Sequence, residues 1–309
     1  MAEGSQGERR PPESGAGSEL PDGPFTEMLG VAQDGGHPQA GCQETCCAAA
    51  WADPRLGHRV ASMAVVDPIS RQRWIIDASP DFPIQLRTLD EAMPVPGSIG
   101  LDGVLLTHAH IGHYTGLMHL GREALGATKI PVYAMPKMQR FLRENGPWEL
   151  LDRLDNIEIM PLSAGKEIQL NERIHVCPIQ IPHRSEYTET VGFVVRGPQR
   201  SVLYIPDIDK WDRWSTPIEK VIATVDRAYL DGTFFADGEI KERPMAEIPH
   251  PFVMESIERF RSLESAEKSK IHFFHLNHTN PLLDPSSSQS AMVREQGMHV
   301  ARRGDRLVL

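Results

Sequence analysis

Short apolar runs rich in β-branched residues alternate with amphipathic segments along almost the whole chain. FTEMLGV (25–31) predicts a strand that passes into a Gly/Pro loop. VASMAVVD (60–67) and RWIIDA (73–78) are two further strand runs, joined by the polar PISRQ as a hairpin. SPDFPIQLRTLDEA opens on a Ser that can cap and carries helical apolar spacing. DGVLLT (102–107) is a buried-strand pattern running straight into a histidine-rich turn. GLMHLGREALGA then predicts a helix, PVYA a strand, and PKMQRFLREN a short helix with Pro in its first turn. GPW (146–148) reads as a turn.

The second half repeats the style. IEIMPL, IHVCPIQI, TVGFVVR, SVLYI and RAYLD are successive strand candidates. PFVMESIERFRSL is an amphipathic helix, IHFFHLNHT a strand ending in histidines, SQSAMVREQG a helix and HVARRGDRLVL a final strand. Two mixed sheets packed face to face with helices outside, an α/β sandwich, would bury all of these faces. No linker divides the chain and no 20–50-residue repeat marks a solenoid. We therefore expect a single domain over 25–309 behind a tail, 1–24, too poor in apolar residues to offset the entropy of ordering.

Composition narrows the classes. The chain has 309 residues, 40% hydrophobic and 24% charged, with a formal net charge of −10. That charge argues against an extended nucleic-acid surface, which needs clustered Lys and Arg, but leaves room for a small-molecule, short-peptide or nucleotide substrate. No apolar run reaches the roughly 20 residues of a membrane span. Residues 1–23 hold no apolar core of an export signal, so a cytoplasmic protein is expected. A homodimer is the oligomer the sequence leaves open. Cys42, Cys46 and Cys47 crowd together and Cys177 stands alone, a pattern that fits free thiols or a metal clip better than disulfides.

The strongest chemical signal is THAHIGH, Thr107–His113. On an extended strand end His108 and His110 project to one side, and the chain can turn at Gly112 to bring His113 back to the same point. Three imidazoles suit Zn, Fe, Mn or Cu and leave room for reactive water. His183, Asp207 and His278 each follow a strand run, where side chains of one sheet edge meet.

HxHxxH followed by a post-strand His, Asp and His, in this order, resembles the metallo-β-lactamase superfamily over residues 25–309, and the resemblance implies its αββα fold. By it, His108, His110 and His183 would hold one metal, His113 and His278 a second, and Asp207 would bridge them. His275 competes with His278 for the last place; HTNP, which matches the family's loop after the strand, favours His278. Asp77 in IIDAS matches an acidic residue that supports the site from behind. One departure stands out: the family's HxHxDH has Asp where this chain has Gly112, which puts the second metal in question.

LGVAQDGGHPQAGCQETCC and AYLDGTFF resemble the family of the pyrroloquinoline quinone biosynthesis B protein. LDGTFF with IPHPF is also similar to the tRNase Z and phosphodiesterase branch, where a histidine shuttles a proton; His250 would take that place. The family's cysteine-bound structural zinc would here use Cys42, one of the adjacent Cys46 and Cys47, and His37, since neighbouring cysteines do not easily face one ion. The implied activity is hydrolysis of an ester-type bond, phosphodiester favoured, by metal-activated water with Asp207 orienting it and His250 as acid. Zn(2+) is the expected metal, one or two ions, with Mn(2+) or Fe(2+) as alternatives. An iron-dependent oxygenase or accessory protein of quinone-cofactor biosynthesis is the second reading; a non-catalytic binding protein, resting on Gly112, is the third. Trp211 and Trp214 are candidates for the site mouth, and 236–249, with Glu239, Glu242 and Glu247, for a loop over it.

Overall fold

The strand runs are apolar on both faces, and such strands must be covered twice. The computed structural model, which describes residues 20–97, 99–240, 245 and 248–309, covers them with a second sheet on one side and helices on the other. The expected tail falls almost wholly outside the described residues.

The first sheet contains β1 (Phe25–Gly30), β2 (Ser62–Asp67), β3 (Gln72–Ile76), β4 (Gly103–Leu105), β5 (Ile130–Ala134), β6 (Ile157–Pro161) and β14 (Arg306–Val308), in the order β14-β1-β2-β3-β4-β5-β6. The second contains β7 (Ile168–Gln169), β8 (His175–Ile181), β9 (Thr190–Arg196), β10 (Ser201–Ile205), β11 (Arg227–Asp231), β12 (Ile271–Phe274) and β13 (His299–Val300), in the order β13-β12-β11-β10-β9-β8-β7. Both are mixed. β1, β2 and β3 pair antiparallel, whereas β3 through β6 run parallel. The second sheet repeats this, antiparallel from β7 to β10 and parallel from β10 to β13.

Alternation along each strand sorts the side chains into layers. Met63, Val65, Trp74 and Ile76 join Val176, Phe193, Val202 and Tyr204 between the sheets. Ala64, Val66, Ile75 and Val104 face the other way, onto α2 (Phe82–Ala92), α4 (Pro136–Glu144) and α5 (Trp148–Arg153). Leu203, Ile205, Leu230 and Phe273 lie under α6 (Ile218–Ile222) and α7 (Val253–Arg259), with α9 (Ser288–Glu295) beside them. The result is the αββα sandwich.

Several local expectations need correcting. GLMHLGREALGA is a 3-10 turn over Thr115–Leu120 followed by turns, not a helix. Gly116 explains why the chain runs so close: a Cβ there would lie 2.2 Å from the Ser79 carbonyl oxygen and 2.6 Å from Phe82 Cβ. HVARRGDRLVL divides into β13 and β14, which join different sheets. The turn at GPW passes directly into α5, and the cysteine-rich stretch forms α1 (Thr45–Ala52), which has no helical apolar period to announce it. Trp211 belongs to the core, 5% exposed, with its indole N–H donated to Ser256 Oγ at 2.9 Å, so it is not a mouth residue. Glu242 and Glu247 lie outside the described residues.

Gly116 also carries a prediction, because it presses the histidine-rich turn against the start of α2. Gly116→Ala should destabilise the protein by about 1–3 kcal/mol through overpacking, read as a melting temperature lowered by several degrees. An unchanged melting temperature would contradict the close approach.

Candidate metal centre

The sheet edges deliver their polar residues to one place. β4 stops at Leu105, the chain bends at Ala109 and His110 (His110 φ −97°, ψ 150°), and then turns into α3 (Ile111–Tyr114), which carries His113. His183 follows β8, Asp207 follows β10, His250 lies between β11 and α7, and His275 follows β12 directly. Asp34, on the loop after β1, joins them.

Three donor sets form, each with its ligand atoms within 4.8 Å of one another: His108, His110 and His183; Asp34, His113, Asp207 and His275; and His183, Asp207 and His250. Asp207 is common to the last two. Its Oδ2 lies 3.0 Å from His113 Nε2, 3.2 Å from His275 Nε2 and 3.7 Å from His108 Nε2, while Oδ1 lies 3.6 Å from His183 Nε2.

Hydrogen bonds behind the rings fix which nitrogen faces inward. Asp77, fully buried, accepts from Thr107 N and Oγ1 (both 2.9 Å) and from His113 Nδ1 (2.7 Å). Thr107 has given its proton to Asp77, so at 3.0 Å it can only accept from His108 Nδ1. Thr233 Oγ1 likewise donates to Asp231 (2.7 Å) and accepts from His275 Nδ1 (3.0 Å). His250 Nδ1 donates to Asp231 Oδ2 at 2.7 Å. In His108, His113, His250 and His275 the Nε2 lone pair is therefore left for the cavity. His110 is reversed, its Nε2 donating to Glu186 at 3.2 Å and its Nδ1 lying 2.9 Å from His108 Nε2.

Lone pairs thus meet lone pairs and carboxylates. Asp34 Oδ1, His113 Nε2, both nitrogens of His183, Asp207 Oδ2 and His275 Nε2 are buried without a hydrogen-bond partner. Each orphan of this kind costs about 1–3 kcal/mol, and divalent cations in the donor sets answer all but His183 Nδ1, which faces Asp209, so the donors fit a metal ion. The electrostatics agree. Burial opposes charge on His113, but Asp77, Asp207 and Asp34 hold its pKa well above the ordinary value. Burial and the neighbouring His113 push His108 well below it. Burial would raise Asp207, yet His275, His113, His183 and His108 keep it ionised. A proton on His113 and a cation in the cluster answer the same excess of carboxylate charge.

A family model described as the beta-lactamase superfamily domain matches residues 72–275. The chain belongs to the β-lactamase superfamily, with the metallo-β-lactamase fold. It is 27% identical to the coenzyme PQQ synthesis protein B of Methylorubrum extorquens (strain PA1), covering 90% of this chain and 97% of that relative. The crystal structure of zinc-bound PqqB from Methylobacterium extorquens superposes with a TM-score of 0.78 at 23% identity, over 92% of this chain and 100% of the other. A diphosphatase of the PhnP family gives 0.65 at 21% identity, over 92% and 96%.

In this metallo-β-lactamase-fold chain two sequence expectations about the donors are overturned. His278 is not in the His/Asp centre; His275 occupies that place. At φ +60°, His275 turns its ring into the centre straight from the strand end, and three residues on the loop has moved away. His278 instead groups with Cys42, Cys46 and Cys47. His37 is not one of these donors: its Nε2 donates to the Cys46 carbonyl at 2.9 Å. The adjacent cysteines do converge, because both stand in the first turn of α1. Cys42 Sγ lies 3.6 Å from Cys46 Sγ, and His278 Nδ1 lies 3.6 Å and 3.5 Å from Cys46 and Cys47 Sγ. Zinc with bonds of about 2.3 Å to sulfur and 2.05 Å to nitrogen sets tetrahedral edges of about 3.8 and 3.6 Å, so the cluster fits that ion. Burial and the neighbouring Cys42 and Cys47 thiols push Cys46 up to about 12.

Sequence reading missed Asp34, Asp231 and Asp209, which lies 3.4 Å from His183 Nδ1. Asp231 carries the signal that marked Asp207, an acidic residue at the end of an apolar strand run. Among the described residues no helix is long and apolar enough to cross a membrane.

Proposed function

We propose that the chain is a metal-dependent hydrolase cleaving an ester-type bond, with a phosphodiester of small-molecule or nucleotide size favoured. The observation that carries this is His250: a buried imidazole whose Nδ1 is anchored on Asp231 at 2.7 Å and lies 3.7 Å from Asp207 Oδ1, grouped with His183 and Asp207. Burial opposes its charge, but the Asp231 carboxylate raises its pKa above the ordinary value, which suits a proton donor at neutral pH. Three imidazoles with a shared aspartate suit zinc, one or two ions, with manganese and ferrous iron the next choices. The diphosphatase that shares the fold is consistent with this chemistry. A cytoplasmic setting, where thiols stay reduced, belongs to the same reading.

The donor sets around Asp207 would hold a divalent cation, which would supply Lewis acidity and lower the pKa of a water from 15.7 to roughly 7. Asp207, through the oxygen not engaged with His113 and His275, would accept a hydrogen bond from the attacking water and orient it. The two carboxylates behind the rings, Asp77 and Asp231, keep the imidazoles in the ligand tautomer. His250, carrying a second proton on Nε2 as its raised pKa favours, would give that proton to the departing oxygen and return to the neutral tautomer held by Asp231.

His250→Ala should lower kcat on diesters with poor leaving groups by about 10²–10⁴-fold. With p-nitrophenolate, which needs no proton, the loss should be far smaller. Equal losses on both would make His250 a ligand instead of an acid, and absence of any phosphodiester turnover by zinc- or manganese-loaded protein would overturn the reading. Similarity to coenzyme PQQ synthesis protein B over nearly its whole length favours, as a second reading, an iron-dependent step in quinone-cofactor biosynthesis. Bound iron with oxygen uptake would select it. A non-catalytic binding protein rested on Gly112; the carboxylate of Asp34 beside Gly112 supports the catalytic reading over it.

A further inference from the structure

The donor set of Asp34, His113, Asp207 and His275 has the dimensions of a coordination shell. Asp34 Oδ1 lies 3.1 Å from His113 Nε2 and 3.4 Å from His275 Nε2; Asp207 Oδ2 lies 3.0 Å and 3.2 Å from the same two nitrogens. Four nitrogen or oxygen donors about 2.1 Å from one cation in a tetrahedron stand about 3.4 Å apart. All four atoms are buried and none has a hydrogen-bond partner.

Asp34 is held in this position by backbone on both sides. Leu276 N donates to the Val31 carbonyl at 2.7 Å and Gln33 N to the Leu276 carbonyl at 2.8 Å, tying the loop after β1 to the residue next to His275. Ala61 N donates to the Ala32 carbonyl at 2.8 Å and fixes the loop's other edge to β2. Residue 112 is shaped to receive it. A Cβ on Gly112 would lie 2.3 Å from Asp34 Oδ1 and 2.8 Å from its Cα and Cγ. Within a helical turn glycine is intrinsically unfavourable by about 1 kcal/mol, so its presence in α3 calls for a reason, and the carboxylate in its side-chain space supplies one.

We propose that Asp34 completes a second cation site in this chain, with His113, Asp207 and His275, and that residue 112 is glycine because Asp34 fills the space of its side chain. Two carboxylates balance a dication, and with two imidazoles they accept zinc, manganese or ferrous iron. Asp34 and Gly112 therefore form one unit, a carboxylate supplied from the loop after β1 in place of one from the histidine-bearing helix. The inference rests on the metal-centre reading but not on which bond the centre cleaves.

The test is zinc content by plasma mass spectrometry, with calorimetric titration of the full-length apoprotein, for wild type, Asp34→Asn, Gly112→Asp and the exchange Asp34→Gly/Gly112→Asp. Asp34→Asn preserves shape and should lose one zinc per chain relative to wild type, or bind that zinc at least tenfold more weakly, with an unchanged circular dichroism spectrum. Gly112→Asp should lose the same ion by displacing Asp34, and the exchange should regain it. An Asp34→Asn protein that keeps the wild-type zinc number and affinity overturns the assignment of Asp34. An exchange that fails to regain the ion overturns the reason given for Gly112. Wild type that binds zinc only at its cysteine cluster overturns the metal centre itself, and is recognised by a stoichiometry that Cys46→Ser/Cys47→Ser abolishes.

Discussion

Asp207→Ala is expected to lose at least about 10³-fold in kcat/KM, equivalent to about 4 kcal/mol of transition-state stabilisation, and to release bound cations. Asp207 is the residue the centre can least replace, because its two oxygens reach rings that belong to different donor sets. Oδ2 faces His113, His275 and His108, and Oδ1 faces His183. Without it a dication would sit among imidazoles with its charge largely uncompensated. Asp207→Asn keeps the shape and one acceptor oxygen but loses the charge, so it should behave nearly as badly as alanine. Metal content and phosphodiester turnover measured on the same preparation decide the matter. If Asp207→Ala keeps its metal and falls by less than tenfold, the carboxylate does not belong to the centre.

Asp77 should give the second largest effect, though it sits behind the ligands. Asp77→Asn tests the tautomer argument. The asparagine carbonyl can still accept from Thr107 N, which preserves the turn, and Asn tolerates the φ of +64° found here. Its amide nitrogen then faces His113 Nδ1, where the carboxylate accepted a proton at 2.7 Å. The ring must shift its proton to Nε2, which removes the lone pair aimed at Asp34 and Asp207. Loss of a carboxylate behind a ligating imidazole typically costs 10–100-fold in metal affinity, and that range is expected, with folding retained. Asp77→Ala should add a stability loss of about 3–5 kcal/mol, because it strands buried donors on Thr107 and His113. Wild-type zinc affinity in Asp77→Asn would show that the ring's proton is placed by something else.

Much of the centre was legible because its residues share one signature: a polar side chain straight after an apolar strand run. That marked His108, His110, His183 and Asp207, and it follows from the strand ends of two packed sheets opening at one edge. The same signature failed between His275 and His278, since both follow β12 and only the backbone turn at His275 decides which ring enters the centre. Asp34 was hidden for a different reason. Its place depends on hydrogen bonds between Val31, Gln33 and Leu276, a pairing across most of the chain that no local pattern announces. The adjacent cysteines misled because the expectation ignored α1, whose first turn lets Cys46 and Cys47 both reach His278. In the fold, the two-sided strands were plain from their continuous apolar runs. The division of the final segment was not, because a turn with Gly304 at φ +88° sends its two strands to different sheets.

The distribution of donors over both sheets bears on how the molecule comes into being. Asp34 and the histidine-bearing turn belong to the first sheet, and His183, Asp207 and His275 to the second. His183, Asp207 and His250 come from the second sheet alone, but the two sets that contain His108 or His113 need both sheets, and contacts between residues so far apart in the chain are the slow ones to form. Metal capture by the sets that contain His108 or His113 should therefore appear only with the final docking of one sheet on the other. A chain arrested before that step would retain its sheets but lack the sites built from both, so a cation present in the medium draws the last folding equilibrium forward by mass action.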